Sequence, residues 1–159
     1  MHVRPATLTD IPALRRIARE SWERDEALTR ETATETVEEW YDESKLGADV
    51  ESGDMLVLVA AMRDAVIGFS HAVVHGDTGT VLRLYVEPDR RRTGVGSQLL
   101  EATCEELAAR GVERVQAMTL AANEPGATFY RANGFERASR GETIIGGEPY
   151  PEDVYARPV

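Results

Sequence analysis

The chain has 159 residues, enough for one domain with a sizeable core, and its 42% hydrophobic and 29% charged residues are those of a soluble globular protein. A formal net charge of −10 argues against a general nucleic-acid binder, which needs a basic face, and a single cysteine, Cys104, excludes an internal disulfide. The longest apolar run, at 55–62, is far too short to span a bilayer, and the opening "MHVRPATLTD" turns polar too soon for a secretory signal.

A single domain over residues 1–159 and a cytoplasmic location are therefore expected. With one cysteine and only His2, His71 and His75, no metal site is expected. Lys45 is the sole lysine beside abundant arginine, Asp and Glu. That composition suits a surface adapted to high salt, where screening removes self-repulsion, although a GC-rich genome also replaces lysine with arginine. A halophilic cytoplasm is the expectation; a site selecting cationic partners is the other source of such acidity.

In chain order, "HVRPAT" alternates as a short first strand. Thr9 or Asp10 can cap a helix through "IPALRRIARESW", whose Ile11, Leu14, Ile17, Ala18 and Trp22 form one stripe. A second, acidic helix is expected over 31–46, stopping at Gly47. "DMLVLVAAMR", "AVIGFSHAVVH" and "GTVLRLYVEP" read as three strands of an antiparallel meander, joined by short turns and ended by Pro88. An amphipathic helix follows over 94–110, with Val95, Leu99, Ala102 or Thr103, and Leu107 inward and Gly111 past its end. Cys104 lies on it as a small apolar filler. "VERVQAMTL" is a strand, "EPGATFYRAN" a short helix, "GFERAS" the start of another strand, and "EDVYARPV" the last one. The order gives a mixed α/β sheet domain.

One junction concentrates positive charge and bare backbone. In "PDRRRTGVGSQLL" a strand ends near Val86 and a helix begins near Gly94 or Val95. The first turn of a helix has unpaired N–H groups and the positive end of the dipole, which favour an anion. Gly94 and Gly96 let a ligand approach the backbone, and Arg90, Arg91 and Arg92 offer guanidinium forks that match phosphate oxygens. The spacing is not that of a nucleotide P-loop, which ends in Gly-Lys-Ser/Thr, nor of a dinucleotide fingerprint, whose third glycine position holds Leu99. Read alone, the stretch fits a phosphate cradle and a solvated arginine loop equally well.

The flanking sequence resembles the central motif of the GNAT superfamily of acetyl-CoA-dependent N-acetyltransferases. That pattern is an apolar strand, Val-x-Pro, then Gln/Arg-x-x-Gly-x-Gly/Ala and an amphipathic helix; here Val86, Pro88, Arg91, Gly94 and Gly96 fill it. "NEPGATFYRANGFE" is similar to the family's second block through Asn123, Tyr130, Gly134 and Phe135, with the inner alanine at Ala127, one place out. The resemblance implies a mostly antiparallel sheet of about six or seven strands, splayed at the cofactor site and flanked by about four helices.

It also implies acetyl-CoA as cosubstrate. Its pyrophosphate would rest on the backbone of Arg91, Arg92, Thr93, Gly94, Val95 and Gly96, together with Ser97. Strand residues Leu84, Tyr85 and Val86 would bond its pantetheine arm through main chain. By resemblance the Val86 N–H would face the oxyanion, Tyr130 would protonate the departing thiolate, and Asn123 would contact the arm and cap a helix. The reaction implied is direct attack by a primary amine of unidentified kind, small molecule or peptide.

No general base is assigned. The strand position where some relatives hold a glutamate is here near Thr80. Glu87 sits at the strand end, and His71 and His75 are more ordinary as surface or core residues. The acceptor pocket would be built by residues 21–47 and 144–155, and family members are often dimers. A non-catalytic acetyl-CoA sensor is the alternative, with RNA backbone binding by "DRRRTGVG" a third reading.

Overall fold

A computed structural model describes residues 1–23, 41–90 and 93–159, with backbone alone at 22 and 23. The elements are β1 (His2–Pro5), α1 (Ile11–Glu23), α2 (Glu43–Glu51), β2 (Met55–Met62), β3 (Ala65–His75), β4 (Thr78–Val86), α3 (Val95–Ala109), β5 (Arg114–Leu120), α4 (Glu124–Ala132), β6 (Glu136–Ile145) and β7 (Glu148–Pro158). The strands form one sheet in the order β1-β2-β3-β4-β5-β7-β6. Every pairing is antiparallel except that of β4 with β5, which is parallel because α3 carries the chain between them. No described helix is long and apolar enough to cross a membrane.

Helices cover both faces of the sheet. On one, Val95, Leu99, Leu107 and Tyr130 of α3 and α4 pack on Leu56, Leu58, Val81 and Val115. On the other, Ile11, Leu14 and Ile17 of α1 and Leu46 of α2 pack on Val57, Val59 and Phe69. Each such side chain, buried fully, contributes about 1.5–3 kcal/mol. Between layers the Thr103 hydroxyl shares a 2.7 Å hydrogen bond with Ser70 and donates back to Leu99 C=O, so both buried hydroxyls are satisfied. Of the two residues expected inward at that turn, Thr103 is buried and Ala102 is half-buried.

A 3-10 turn over Leu8–Asp10, capped by Thr7, leads into α1, and the Asp10 carboxylate, one residue before that helix, accepts the Thr7 N–H at 2.8 Å. Two expectations about the next helix are corrected. Gly47 does not end α2, which runs through it to Glu51, because Leu46 before it is buried in the core and Val50 after it packs against the same cluster. Nor does the helix expected over 31–46 run unbroken into α2, which starts at Glu43 behind Asp42, whose carboxylate accepts the Lys45 N–H at 3.1 Å; residues 31–40 and the Trp22 side chain lie outside the described residues.

The last two strands are longer than expected and form a hairpin about Gly146–Gly147. Pro149 and Pro151 argue against a strand in sequence. Here they lie beyond the last β5 pairing, Leu120↔Glu152; Pro151 still accepts the Ala121 N–H at 2.9 Å through its carbonyl, so the missing N–H groups cost no central ladder bond.

Candidate active site

The two parallel strands part company. Pairing runs from Thr78↔Arg114 to Val81↔Ala117 and then stops, although β4 continues to Val86 beside β3 and β5 to Leu120 beside β7. The cause lies in β4. Against β3 its register jumps from Ala72↔Val81 to His71↔Arg83, leaving Leu82 as an extra, bulged residue. A bulge bends and twists its strand, so β4 swings away from β5 and a gap opens in the sheet.

The gap is lined with unused main chain. The Glu87 N–H donates to Ile67 C=O of β3 at 2.8 Å. Strand amides alternate in direction, so that of Tyr85 also faces β3, paired with Phe69, while those of Leu84 and Val86 face the gap. The three residues expected to bond one arm thus divide: Leu84 and Val86 present backbone, and Tyr85 presents its ring to the α1/α2 face, edge-on to Phe69 at 5.7 Å.

Beyond β4 a 3-10 turn at Pro88–Arg90 leads to α3. Gly94 caps that helix with φ 85°, the left-handed region that only glycine enters without strain, and a Cβ there would meet nothing within 4 Å. The first intrahelical bond is Gln98 N–H to Gly94 C=O at 3.1 Å, so the amides of Val95, Gly96 and Ser97 have no partner within the helix. Open space above Gly94 and this bare turn leave room and unpaired donors of the kind an anion can use. Gly96 serves differently. A Cβ there would lie 3.1 Å from Phe129 Cε1, so its absence admits α4 against α3 rather than a ligand. The Thr93 hydroxyl donates to Arg90 C=O, closing the preceding loop. Arg91 and Arg92 lie outside the described residues.

Tyr130 of α4 lies on the α3 side of the sheet against Tyr155, whose cross-strand partner Ala117 is the last β5 residue paired with β4. It is buried, stacked on Tyr155 at 6.1 Å and edge-on to Phe129 and Phe135. Burial pushes its phenol well above the ordinary value, with Tyr85 adding and Arg83 subtracting, so the hydroxyl stays protonated at neutral pH. Asn123 caps α4: its Oδ1 accepts Gly126 N–H and its Nδ2 donates to Thr119 Oγ1, both at 3.1 Å. The capping half of its expected role is plain in this geometry.

From the opposite face comes a cluster of polar side chains. Arg83, between two apolar strand residues, points with Tyr85 toward α1 and α2 and interacts with Tyr41, Tyr85 and Glu152. Its cross-strand neighbour His71 lies 3.3 Å (Nε2) from Asp49 Oδ2 of α2. Burial lowers the His71 pKa below the ordinary value against the pull of Asp49, so the ring is neutral at pH 7. His75, at the strand end, is exposed. Glu87 is ion-paired to Arg16 of α1 at 2.8 Å. Cys104 is buried and its thiol is pushed up to about 11 by that burial, in keeping with a packing role. Among the described residues no group of three metal-ligating side chains occurs.

Arg83 and Asp49 escaped the sequence analysis, while Tyr41 and Glu152 lie within the segments expected to build the acceptor pocket, 21–47 and 144–155, without being singled out there. A lone charge inside "VLRLYV" is a signal for Arg83. The other three are brought in by long-range packing, which no local pattern encodes.

The profile of the Acetyltransferase (GNAT) domain matches residues 53–137. The spermidine N(1)-acetyltransferase of Thermoplasma acidophilum is 26% identical over 142 residues, covering 86% of this chain and 88% of that protein. The mycothiol acetyltransferase of Clavibacter michiganensis subsp. michiganensis is 33% identical over 102 residues, a stretch that is 64% of this chain but 30% of that relative's length. Among solved structures, the PaiA N-acetyltransferase of Thermoplasma acidophilum in complex with coenzyme A superposes with a TM-score of 0.85 at 25% identity, over 95% of this chain and 96% of that one. Since the matched profile covers more than half of a chain whose sheet opens beside a bare helix N-terminus, this protein belongs to the GNAT family and is an acetyl-CoA-dependent acyltransferase.

Proposed function

We propose that the protein moves the acetyl group of acetyl-CoA directly to the nitrogen of a primary amine. The observation that carries this reading is the two-sided gap: unpaired backbone and an anion seat on the α3 side, a polar cluster on the α1/α2 side. The amides of Val95, Gly96 and Ser97, beside Thr93 and Gly94, hold the pyrophosphate. Arg91 and Arg92 neutralise it as guanidinium forks. Leu84 and Val86 bond the pantetheine arm by main chain, and the Val86 N–H stabilises charge developing on the carbonyl oxygen. Asn123 holds the start of α4, and Tyr130 returns a proton to the departing thiolate. A protonated phenol at neutral pH supports that assignment.

We further propose that the site serves a cytoplasm of high salt, for which a net charge of −10 with a single lysine is the support. The test is a thermal melt with and without acetyl-CoA in concentrated KCl. Release of free thiol is then measured with spermidine, glycine and an alanine-ended peptide as acceptors. A melting temperature raised by acetyl-CoA and turnover with at least one amine are expected. Binding without turnover on any amine would replace the enzyme by a sensor. Cys104 is buried and rarely thiolate, so its blank in a thiol assay is small.

A further inference from the structure

Direct transfer to an amine leaves one task without a residue: the ammonium form must lose a proton before its nitrogen can attack. Thr80 has no carboxylate to offer. Glu87 is held by Arg16 at 2.8 Å, Asp153 by Arg140 at 2.7 Å, and His71 stands on β3, with β4 between it and the gap. Resting on the proposed reaction, we propose that Glu152 of β7 is the group that takes the proton from the acceptor amine.

Its place in the fold is the reason. Glu152 pairs with Leu120, the last residue of β5, so it stands where β5 has parted from β4 and at the open end of the gap. Cross-strand partners share a face, and Leu120 packs into the α1/α2 layer, as does Tyr150 two residues before Glu152. Arg83 projects to that same face from β4. The carboxylate and the Tyr130 phenol therefore flank the gap from opposite faces, which suits an amine arriving on one side and a thiolate leaving on the other.

Among the described residues, the groups around Glu152 are few. Its neighbour on β5 is Leu120 and on β6 is Gly141, neither of which titrates. Arg83 faces it from β4, with the Tyr41 and Tyr85 phenols about that guanidinium, while Asp49 and Lys45 of α2 bear on His71. Half-burial raises the carboxyl pKa from its ordinary value and Arg83 draws it part of the way back. That makes it a stronger base than an exposed glutamate.

The step balances. R–NH3⁺ gives one proton to the Glu152 carboxylate, and the free amine forms a C–N bond to the thioester carbon. As the C–S bond breaks, its electron pair leaves with sulfur, which takes the Tyr130 proton. The nitrogen loses its surplus proton, which restores the phenol, and Glu152 passes its own to solvent. The sum is one amide, one thiol and one proton released.

The test compares wild type with Glu152→Gln and Glu152→Asp, using whichever of spermidine, glycine and the alanine-ended peptide wild type acetylates. Acetyl-CoA should raise the melting temperature of all three proteins equally. For Glu152→Gln, kcat at pH 7 should fall at least about 100-fold, and the acid limb of the wild-type kcat profile should vanish. Glu152→Asp should keep the limb at a displaced pH, which also reports if the Gln variant does not fold. Wild-type kcat, or an unmoved acid limb, in either variant overturns the assignment. Wild type that binds acetyl-CoA yet acetylates no amine overturns the underlying reaction, and the assignment with it.

Discussion

Gly94 and Gly96 belong to one motif and answer to different physics. At Gly94 the constraint is the backbone: φ is 85° and the space a Cβ would fill is empty. Gly94→Ala should therefore cost only the left-handed strain, about 1 kcal/mol, read as a small drop in melting temperature. Gly94→Glu should also abolish the acetyl-CoA thermal shift, because a carboxylate then stands at the anion seat; unaltered affinity would remove that seat from the site. Tyr130→Phe separates chemistry from packing. The ring contacts with Tyr155, Phe129 and Phe135 survive, so stability and acetyl-CoA affinity should hold while kcat falls by about 100-fold. Equal loss of affinity and rate would return Tyr130 to the packing residues.

At the scale of elements, local pattern carried most of the fold. The strand-like apolar runs at 54–63, 65–75 and 79–88 lie within or about β2, β3 and β4, and the 3.6 period of 94–110 is α3. What stayed hidden is set by contacts distant in sequence. Gly47 sits inside α2 because Leu46 is buried against the sheet, and β7 tolerates two prolines because β5 has already ended. The bulge at Leu82 exists only as a relation between β4 and β3, so the gap was reachable from sequence by resemblance alone. Deleting Leu82 tests its purpose. Val81 and Arg83 then follow one another in ordinary alternation, core face and acceptor face, and their pairings with Ala72 and His71 become consecutive. The shortened chain should fold, close β4 onto β5, and lose the acetyl-CoA thermal shift; a retained shift would mean that the bulge does not open the gap.

The turn before α1 makes a second prediction at this scale. Arg4 holds the Asp10 carboxyl below its ordinary pKa by hydrogen bonds of 2.8 and 3.0 Å, with Thr7 N–H adding. A depressed folded-state pKa stabilises at pH values above the unfolded value and is lost as pH falls through the folded one. Asp10→Ala should cost about 1–2 kcal/mol at pH 7, and the difference from wild type should shrink as pH drops below the ordinary carboxylate range. A pH-independent difference in denaturant midpoint would place the effect in packing.

At the scale of the whole molecule, several of the described arginines are tied to carboxylates. Arg4, Arg16, Arg140 and Arg157 are each paired with a carboxylate: Asp10, Glu87, Asp153 and Glu101. Acid remains in excess over the full chain, 28 Asp and Glu against 18 basic residues. Such charges repel over about 10 Å at 0.1 M salt and over only about 3 Å at 1 M. The folded state gathers them and the unfolded chain spreads them, so dilute salt should weigh on folding. The melting temperature should fall as KCl is lowered from molar to tenth-molar, by several degrees if the repulsion amounts to a few kcal/mol. Screening also predicts its own control. Millimolar MgCl2 should recover part of the loss at 0.1 M KCl, since a divalent ion condenses on carboxylates at concentrations far too small to strengthen the hydrophobic effect. A melting temperature flat in KCl would show that the acidity carries no adaptation to salt, and the lysine-poor composition would then need a genomic cause.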